Sequence, residues 1–232
     1  MGYKAVIFDL DNTLLNYDLS VQHCMKQALT DHTIDEAFEW DAFWSIFGPI
    51  NFKYWMNRNE NNHNIYQVLE HSFTDTFQTL NHIHTKPHAI TKTYWDSFCS
   101  TCHLEPNAEQ VLALLHGQYK LGVISNGIGE AQRMRLTAGK LAHYFDVLVM
   151  SDEVNCWKPD QRIFEHALLS MGVHAEEVLY IGDSLTDDYS GAVNAGIDFC
   201  LYNGRRLTLQ EGQNPKYIID DLLDIKNLLE AI

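Results

Sequence analysis

Short apolar runs alternate with longer amphipathic segments along most of the chain. The runs are rich in β-forming residues and occupy positions 3–8, 120–125, 145–150, 178–181, 199–202 and 217–219. Each run is typical of a buried strand, and the segments between them have helical periodicity, including a last helix from residue 221. Strands that alternate with helices predict a doubly wound parallel sheet, so the predicted fold class is α/β.

The pattern changes within residues 18–103, where apolar positions recur only at helical spacing. Phe43 and Phe47 are one such pair. Asn61-Asn62 and the segment 84–87 predict breaks between helices. We therefore predict two domains, namely a core of residues 1–17 and 104–232 and an inserted α-helical cap of residues 18–103 that covers the site.

The predicted cap is unusually aromatic between positions 38 and 55. Its rings are Trp40, Phe43, Trp44, Phe47, Phe52, Tyr54 and Trp55. Such rings could offer a stacking surface for a nucleobase, or they could form the small core of the cap itself. The second interpretation is favoured for most of them. Lys53 and Arg58 could contact a base or a ribose, but a solvated charge is the more common role.

Composition and charge limit the classes of function. The chain has 232 residues, of which 46% are hydrophobic, and these suffice for a sizeable core. A net charge of −15 argues against binding to nucleic acid or to an anionic membrane. A small anionic substrate needs only a locally positive pocket. We expect no membrane span and no secretory signal, and hence a cytoplasmic protein.

The chain has five cysteines, an odd number that predicts reduced thiols. Cys99 and Cys102, followed by His103, match the string that attaches c-type haem. Because attachment would require export, partly buried free thiols are the favoured interpretation of this pair, over haem and over a redox or metal role.

Carboxylates follow two of the predicted strands. Asp9 ends the first strand, with Asp11 two residues later, and Asp183 ends the fourth strand, with Asp188 close behind. Ligands of an open α/β sheet sit beyond the carboxyl ends of its strands, and crowded carboxylates repel one another unless a cation such as Mg²⁺ holds them. Polar turns are the alternative interpretation. Asp187 is assigned to capping the helix that follows.

Two further polar segments complete the set. Ser125 and Asn126 end the second predicted strand and precede a helix from about residue 130. A hydroxyl and backbone N–H groups in this position could cradle a phosphate, although an ordinary helix N-cap would look the same. Lys158 could place an ammonium on a phosphate oxygen, although a lone lysine is more often a solvated charge. The four segments in this order favour a phosphate-handling site.

Together the four segments resemble the motifs of the haloacid dehalogenase superfamily, on its phosphatase side. The resemblance runs from Asp9 to Asp188, and a core-like pattern continues nearly to the C-terminus. A closer resemblance to the pyrimidine 5′-nucleotidase branch rests on Ile124-Ser125-Asn126-Gly127, Phe145-Asp146, Ser151-Asp152-Glu153-Val154, Lys158-Pro159-Asp160 and Ile163-Phe164. Phosphoglycolate and sugar-phosphate phosphatases share much of this pattern. Cys156-Trp157 departs from it, because relatives tend to carry small residues there.

The resemblance implies roles for the catalytic residues. Asp9 would attack phosphorus and form an aspartyl-phosphate. Asp11 would protonate the leaving alkoxide and then deprotonate the attacking water. Lys158 would neutralise charge on Asp9 and on the phosphate. The dehalogenases of the superfamily lack an acid at the position of Asp11, so its presence favours hydrolysis of phosphate esters or phosphomutase chemistry.

The resemblance also implies the ligands of the phosphoryl group and of a Mg²⁺ cofactor. The phosphate-binding residues would be Thr13, Ser125, Asn126 and Lys158. The metal-binding groups would be Asp9, the backbone carbonyl of Asp11, Asp183, and Asp188 as a ligand or through a water or Lys158.

Three functions are compatible with these predictions. The first is a Mg²⁺-dependent phosphomonoester hydrolase that acts on pyrimidine nucleoside monophosphates. The second is a phosphatase or phosphomutase for a sugar phosphate or another small metabolite. The third is a non-enzymatic binding protein on the same scaffold, which the intact set of acidic residues and Lys158 argues against. The expected partner is a small phosphorylated metabolite, and we expect a monomer or a homodimer.

Overall fold

The computed structural model describes residues 2–34, 39–82 and 86–231. The chain divides into two compact units. One unit comprises Met1–Asp18 and Cys102–Ile232, and the other comprises Leu19–Thr101.

A six-stranded sheet forms the centre of the first unit. Its strands are β1 (Ala5–Phe8), β2 (Lys120–Ser125), β3 (Val147–Met150), β4 (Val178–Gly182), β5 (Asp198–Tyr202) and β6 (Tyr217–Ile219). Their order is β3-β2-β1-β4-β5-β6, and every neighbouring pair is parallel. The predicted doubly wound parallel sheet is therefore confirmed.

The described residues form ten α-helices. They are α1 (Tyr17–Asp31), α2 (Trp40–Met56), α3 (Ile65–Thr79), α4 (Pro87–Ser100), α5 (Ala108–Leu115), α6 (Gly129–Ala138), α7 (Ser151–Val154), α8 (Gln161–Met171), α9 (Ser190–Asn194) and α10 (Asp224–Glu230).

Helices cover both faces of the sheet, and β1 shows this most clearly because it has no exposed side chain. Val6 and Phe8 pack into a core that includes residues of α5 and α10. Ala5 and Ile7 point to the other face and pack into a core that includes residues of α8. A strand buried on both faces explains why its sequence is a continuous apolar run instead of an alternating one.

Three element boundaries differ from the predictions by two residues or more. β1 begins at Ala5 instead of residue 3, and β3 begins at Val147 instead of residue 145. The last helix begins at Asp224 instead of residue 221. There the carboxylate of Asp221 accepts a hydrogen bond from the Leu223 N–H, so a turn precedes the helix. Side-chain bonding of this kind competes with helical backbone bonding.

The second unit is helical, and its helices lie in sequence between β1 and β2. α2 packs against α3, and α3 packs against α4. The predicted break at Asn61-Asn62 falls in the turn between α2 and α3. Of the predicted break at 84–87, residues 84 and 85 lie outside the described ranges, and α4 begins at Pro87.

Two further features bear on the sequence predictions. None of the five cysteines forms a disulfide in the described part of the chain, as the prediction of reduced thiols expects. Among the helices of the described ranges, none combines the length and the apolar character that crossing a membrane requires.

Candidate active site

The strand order brings three of the predicted segments to one edge of the sheet. β1 lies between β2 and β4, and Phe8 is in register with Val123 on one side and with Ile181 on the other. The Asp9 N–H continues this pairing by donating to the Ile181 carbonyl at 2.8 Å. Asp9 and the residues that end β2 and β4 therefore lie side by side, where the direction of the strand order reverses. This is the usual ligand position in such a sheet.

Lys158 is buried at the centre of this edge. Its Nζ donates to Asp9 Oδ1 at 2.5 Å and to Asp188 Oδ1 at 2.7 Å. It also contacts the Tyr180 hydroxyl at 3.1 Å and the Ile124 carbonyl at 3.2 Å. Burial disfavours the charged ammonium, but Asp188 and Asp9 outweigh it and raise the pKa of Lys158. The alternative of a solvated lysine is therefore wrong.

Three carboxylates crowd around this lysine. Asp9, Asp183 and Asp188 each offer an oxygen, and these atoms lie within 4.8 Å of one another. Burial and the negative charges of Asp188 and Asp183 raise the pKa of Asp9 although Lys158 opposes the shift. Burial and Asp188 raise the pKa of Asp183 to about 7. One ammonium thus leaves an excess of negative charge in the cluster.

This cluster fits a Mg²⁺ ion. Carboxylate oxygens are the ligands that Mg²⁺ prefers, and a divalent cation would remove the repulsion that raises the pKa of Asp9 and Asp183. The set includes three of the predicted metal ligands. The Asp11 carboxylate is not part of it and bonds elsewhere.

An unusual helical turn places Asp188 in the cluster. Leu185–Tyr189 forms a π-helical turn before α9, where the sequence predicts only the cap of the helix that follows. Asp188 lies in this turn, and its Oδ2 accepts from the Ser184 N–H at 3.0 Å. A Cβ on Gly182 would lie 2.4 Å from the same oxygen, so only glycine lets the carboxylate approach the strand end. π-Helical turns are frequent at functional sites for this reason.

Asp187, in the same turn, is not the N-cap that the sequence predicts. That position belongs to Ser184, whose side chain accepts from the Asp187 N–H at 3.0 Å. The Asp187 carboxyl is instead partly buried, and this burial raises its pKa.

The predicted phosphate ligands Ser125 and Thr13 each have a hydroxyl proton that could be donated to a ligand. Ser125 Oγ accepts from the Gly127 N–H at 3.1 Å and from Gln132 Nε2 at 3.0 Å. Two acceptor positions are then filled, so its O–H proton is left for a ligand oxygen. The Thr13 Oγ1 atom is buried and has no hydrogen-bond partner within the described ranges. A ligand that accepts from these hydroxyls would account for both.

Asn126 has a different position from the one its predicted role suggests. Its side-chain amide bonds the backbone of Lys158 in both directions, because Nδ2 donates to the carbonyl at 3.0 Å and Oδ1 accepts from the N–H at 2.8 Å. The side chain therefore braces the Lys158 segment, and the phosphate-binding role of Asn126 stays a prediction.

Asp11 bonds to two buried residues of α6 that the sequence analysis missed. Its Oδ1 accepts from Arg135 Nη1 at 2.6 Å, and its Oδ2 accepts from Gln132 Nε2 at 2.6 Å. Arg135 has no exposed surface and Gln132 is 2% exposed. A polar pair at positions i and i+3 on the buried face of a helix is uncommon and could have drawn attention to them.

Tyr180 is the third residue that the sequence analysis missed. Its hydroxyl donates to Asp188 Oδ1 at 2.9 Å beside its contact with Lys158. In the sequence it is one more β-forming residue of an apolar run, so no local signal distinguishes it.

The aromatic cluster of the second unit is divided between core and surface. Phe43 and Phe47 are buried and pack against Phe77 and Phe73 of α3, as the core interpretation expects. Trp40 and Trp44 stack on each other at 5.4 Å between ring centroids and are partly buried. Phe43 and Phe47 therefore belong to the core of the helical unit, and Trp40 and Trp44 are only partly buried.

The remaining members of the cluster have separate surroundings. Phe52 is 64% exposed, and the Tyr54 hydroxyl donates to Asp75 at 2.7 Å. The guanidinium of Arg58 lies 3.6 Å from the ring centroid of Trp55 and is buried, so the expectation of a solvated charge is wrong for Arg58. Lys53 is exposed, as expected.

Comparisons with known proteins agree with this architecture. The family model described as haloacid dehalogenase-like hydrolase matches residues 6–202. The chain is similar to the pyrimidine 5′-nucleotidase YjjG of Escherichia coli, with 27% identity over 99% of each chain. It is also similar to the pyrimidine 5′-nucleotidase PynA of Streptococcus pneumoniae, with 29% identity over 100% of this chain and 99% of that one.

A solved structure supports the same fold. The hydrolase YfnB of Bacillus subtilis, in a crystal structure bound to magnesium, superimposes with a TM-score of 0.83 over 99% of each chain. Its sequence is 23% identical to this one, so the likeness concerns the fold alone.

Proposed function

The chain belongs to the haloacid dehalogenase-like hydrolases, and we propose that within this family it is a Mg²⁺-dependent 5′-nucleotidase for pyrimidine nucleoside monophosphates. Its family and its similarity to two nucleotidases make it a phosphoric monoester hydrolase, which sets aside the non-enzymatic alternative. The observation that carries the finer assignment is that both similarities extend over the whole chain, including the helical unit.

In the proposed reaction, Asp9 is the nucleophile. One of its carboxylate oxygens attacks the phosphorus atom, the bond from phosphorus to the ester oxygen breaks, and an aspartyl-phosphate forms. The ester oxygen leaves with a proton supplied by Asp11. Lys158, which donates to Asp9 Oδ1, keeps this carboxylate in place and offsets its charge as the anionic phosphoryl group approaches.

The second half of the reaction restores the enzyme. Asp11 takes a proton from a water molecule as the water oxygen attacks phosphorus, and the bond between phosphorus and Asp9 breaks. Inorganic phosphate leaves, and both carboxyl groups return to their starting state. Ser125 and Thr13 donate their spare hydroxyl protons to the phosphoryl oxygens in both halves.

The Mg²⁺ ion would be held by Asp9, Asp183 and Asp188, whose oxygens already converge. When bound, it supplies positive charge that lets a dianionic phosphate approach an aspartate.

A panel of phosphate esters tests this proposal. We expect UMP and dTMP to be hydrolysed with higher kcat/KM than AMP, glucose 6-phosphate and phosphoglycolate, in the presence of Mg²⁺ and not after chelation. Faster hydrolysis of a sugar phosphate would favour the second candidate function over the nucleotidase. Full activity after chelation would contradict the metal requirement.

A further inference from the structure

We propose that Gln132 and Arg135 are positioning residues that hold the Asp11 carboxyl group in register with the phosphoryl site. The pair is called the Asp11 clamp below. This inference rests on the proposed function, because it assigns Asp11 the proton transfers of that reaction.

The clamp engages both oxygens of Asp11. Arg135 Nη1 donates to Oδ1 and Gln132 Nε2 donates to Oδ2, each at 2.6 Å. Two donors on two oxygens restrict rotation of the carboxyl plane, whereas one donor would leave it free to turn. An acid that must reach the leaving oxygen as a bond breaks benefits from such restriction.

The orientation of the Gln132 amide follows from its partners. Arg135 can only donate, so the atom that faces its Nη1 at 2.8 Å must be the amide oxygen. The opposite end of the amide is then the NH₂ group, which faces Asp11 and also donates to Ser125 Oγ at 3.0 Å. Each end of the amide therefore has a single possible role.

This orientation links the acid to the phosphoryl site. Gln132 fills one acceptor position of Ser125, which leaves the Ser125 proton for a phosphoryl oxygen. The same NH₂ group holds Asp11. Asp11 and Ser125 are thus fixed relative to each other through one amide group, and the acid keeps its distance from the phosphoryl group that Ser125 binds.

Burial makes the clamp stiff. Arg135 is fully buried, and its positive charge is balanced by the ionised form of Asp11, which is the form that takes a proton from water in the second half of the reaction. Burial disfavours the Arg135 charge, but Asp11 outweighs it and raises the pKa of Arg135. Gly127 closes the other side, since a Cβ there would lie 2.3 Å from Gln132 Nε2. The Gln132 side chain therefore has little room to move.

The clamp is tested by the dependence of the reaction on the leaving group. An alkyl ester such as UMP needs a proton on its leaving oxygen, whereas p-nitrophenol leaves readily as an anion. The readout is the ratio of kcat/KM for UMP to kcat/KM for p-nitrophenyl phosphate. For Arg135→Lys and Arg135→Met we expect this ratio to fall about tenfold or more, part of the ~10²–10⁴-fold worth of a general acid.

Two further variants sharpen the result. Gln132→Met should lower kcat/KM for both esters, because Ser125 is also affected, and lower the ratio as well. In an Asp11→Asn background, Arg135→Lys should change the ratio by less than about twofold, because a residue that acts through Asp11 has nothing left to position.

A matched control, Arg133, lies between the two clamp residues on the same helix. Arg133 pairs with Glu153 and does not contact Asp11. Arg133→Met should leave the ratio unchanged. Thermal unfolding of each variant separates loss of fold from loss of positioning, and Arg135→Lys keeps the buried charge if Arg135→Met does not fold.

The outcomes distinguish the clamp from the proposed function. If the wild type is active and Arg135→Lys lowers kcat/KM equally for both esters, or does not lower it, the clamp is wrong and the proposed function is unaffected. A wild-type protein that cleaves the aryl ester but not UMP contradicts the nucleotide assignment, and glucose 6-phosphate then serves as the alkyl ester. A wild-type protein that cleaves no ester contradicts the proposed function and the clamp together.

Discussion

Lys158 illustrates how single residues sustain this site. A buried ammonium is costly unless carboxylates and hydrogen-bond acceptors surround it, and Lys158 has two carboxylates within 2.7 Å. The Tyr180 hydroxyl completes the arrangement by contacting both Lys158 and Asp188. Both hydrogen bonds of the Tyr180 hydroxyl go to these two side chains, so we assign it the role of positioning the lysine and the carboxylate.

We predict that Tyr180→Phe lowers kcat/KM for UMP about tenfold, since support of this kind is typically worth 10–100-fold. Loss of the two buried contacts should also lower the free energy of unfolding by about 1–3 kcal/mol. Steady-state kinetics and urea unfolding would measure these effects.

Tyr3→Phe is the control for this prediction. Its hydroxyl also donates to a carboxylate, that of Asp198 at 2.6 Å, but it precedes β1 and lies at the far end of that strand from Asp9. Tyr3→Phe should therefore change stability and leave kcat/KM unchanged. Equal effects of the two variants on kcat/KM would refute the role assigned to Tyr180.

The residues at the site differ in how far the sequence could predict them. Asp9 and Asp183 end apolar runs, so strand prediction alone places them at the functional edge. Gln132, Arg135 and Tyr180 could not be assigned in this way, because their partners Asp11 and Lys158 are distant in sequence and the contacts exist only once the sheet is assembled. Arg58 was missed for a different reason, because its stacking on the nearby Trp55 depends on the turn that follows α2.

At the scale of elements, the strands were more predictable than the turns. β2 begins and ends where its predicted run does, since a strand buried on both faces has little freedom in composition. The helix predicted after Asp188 is α9, but the π-helical turn that precedes it was not predicted. Periodicity cannot reveal the extra residue of such a turn, whose effect is to bring Asp188 back to Lys158.

In the helical unit, the buried rings should affect stability and not substrate specificity. We expect Phe47→Ala to lower the free energy of unfolding by about 3–5 kcal/mol, because Phe47 is buried against Phe73. Any change in activity should then be equal for UMP and for a small phosphate ester without a base.

Trp44 is the aromatic residue to compare with Phe47. It lies on the same helix but is only partly buried. If Trp44 stacks on a nucleobase, Trp44→Ala should lower kcat/KM for UMP about tenfold or more, from a stacking energy of ~1–3 kcal/mol, and spare the small ester. Kinetics on the two substrates would measure this. Equal losses on both substrates for Trp44→Ala would remove Trp44 from base recognition and place it with the core of the helical unit.

At the scale of the whole molecule, charge sets the main constraint. The chain carries a net charge of −15, and three of its carboxylates converge at the strand ends around one lysine. Repulsion in this cluster opposes folding, and a bound divalent cation would remove it. Binding of a metal ion at this site should therefore stabilise the whole protein.

We predict that Mg²⁺ raises the melting temperature by about 5 °C at a concentration near 100 times its Kd, as expected for a ligand that binds only the folded state. Differential scanning fluorimetry would measure the shift. Asp183→Asn should be more stable than the wild type without Mg²⁺, because it relieves the repulsion, and should lose most of the Mg²⁺ effect. If NaCl at equal ionic strength raised the melting temperature as much as Mg²⁺ does, the cluster would not be a specific metal site.

The central claim, hydrolysis through a phosphorylated Asp9, is tested most directly by trapping that intermediate. The protein is mixed with Mg²⁺ and ³²P-labelled UMP, quenched in acid within one turnover, and digested for peptide mapping. The account predicts acid-stable, hydroxylamine-sensitive label on the peptide that contains Asp9, and none on the Asp9→Asn variant. Rapid release of labelled phosphate by the wild type with no label on Asp9 at any time would contradict it.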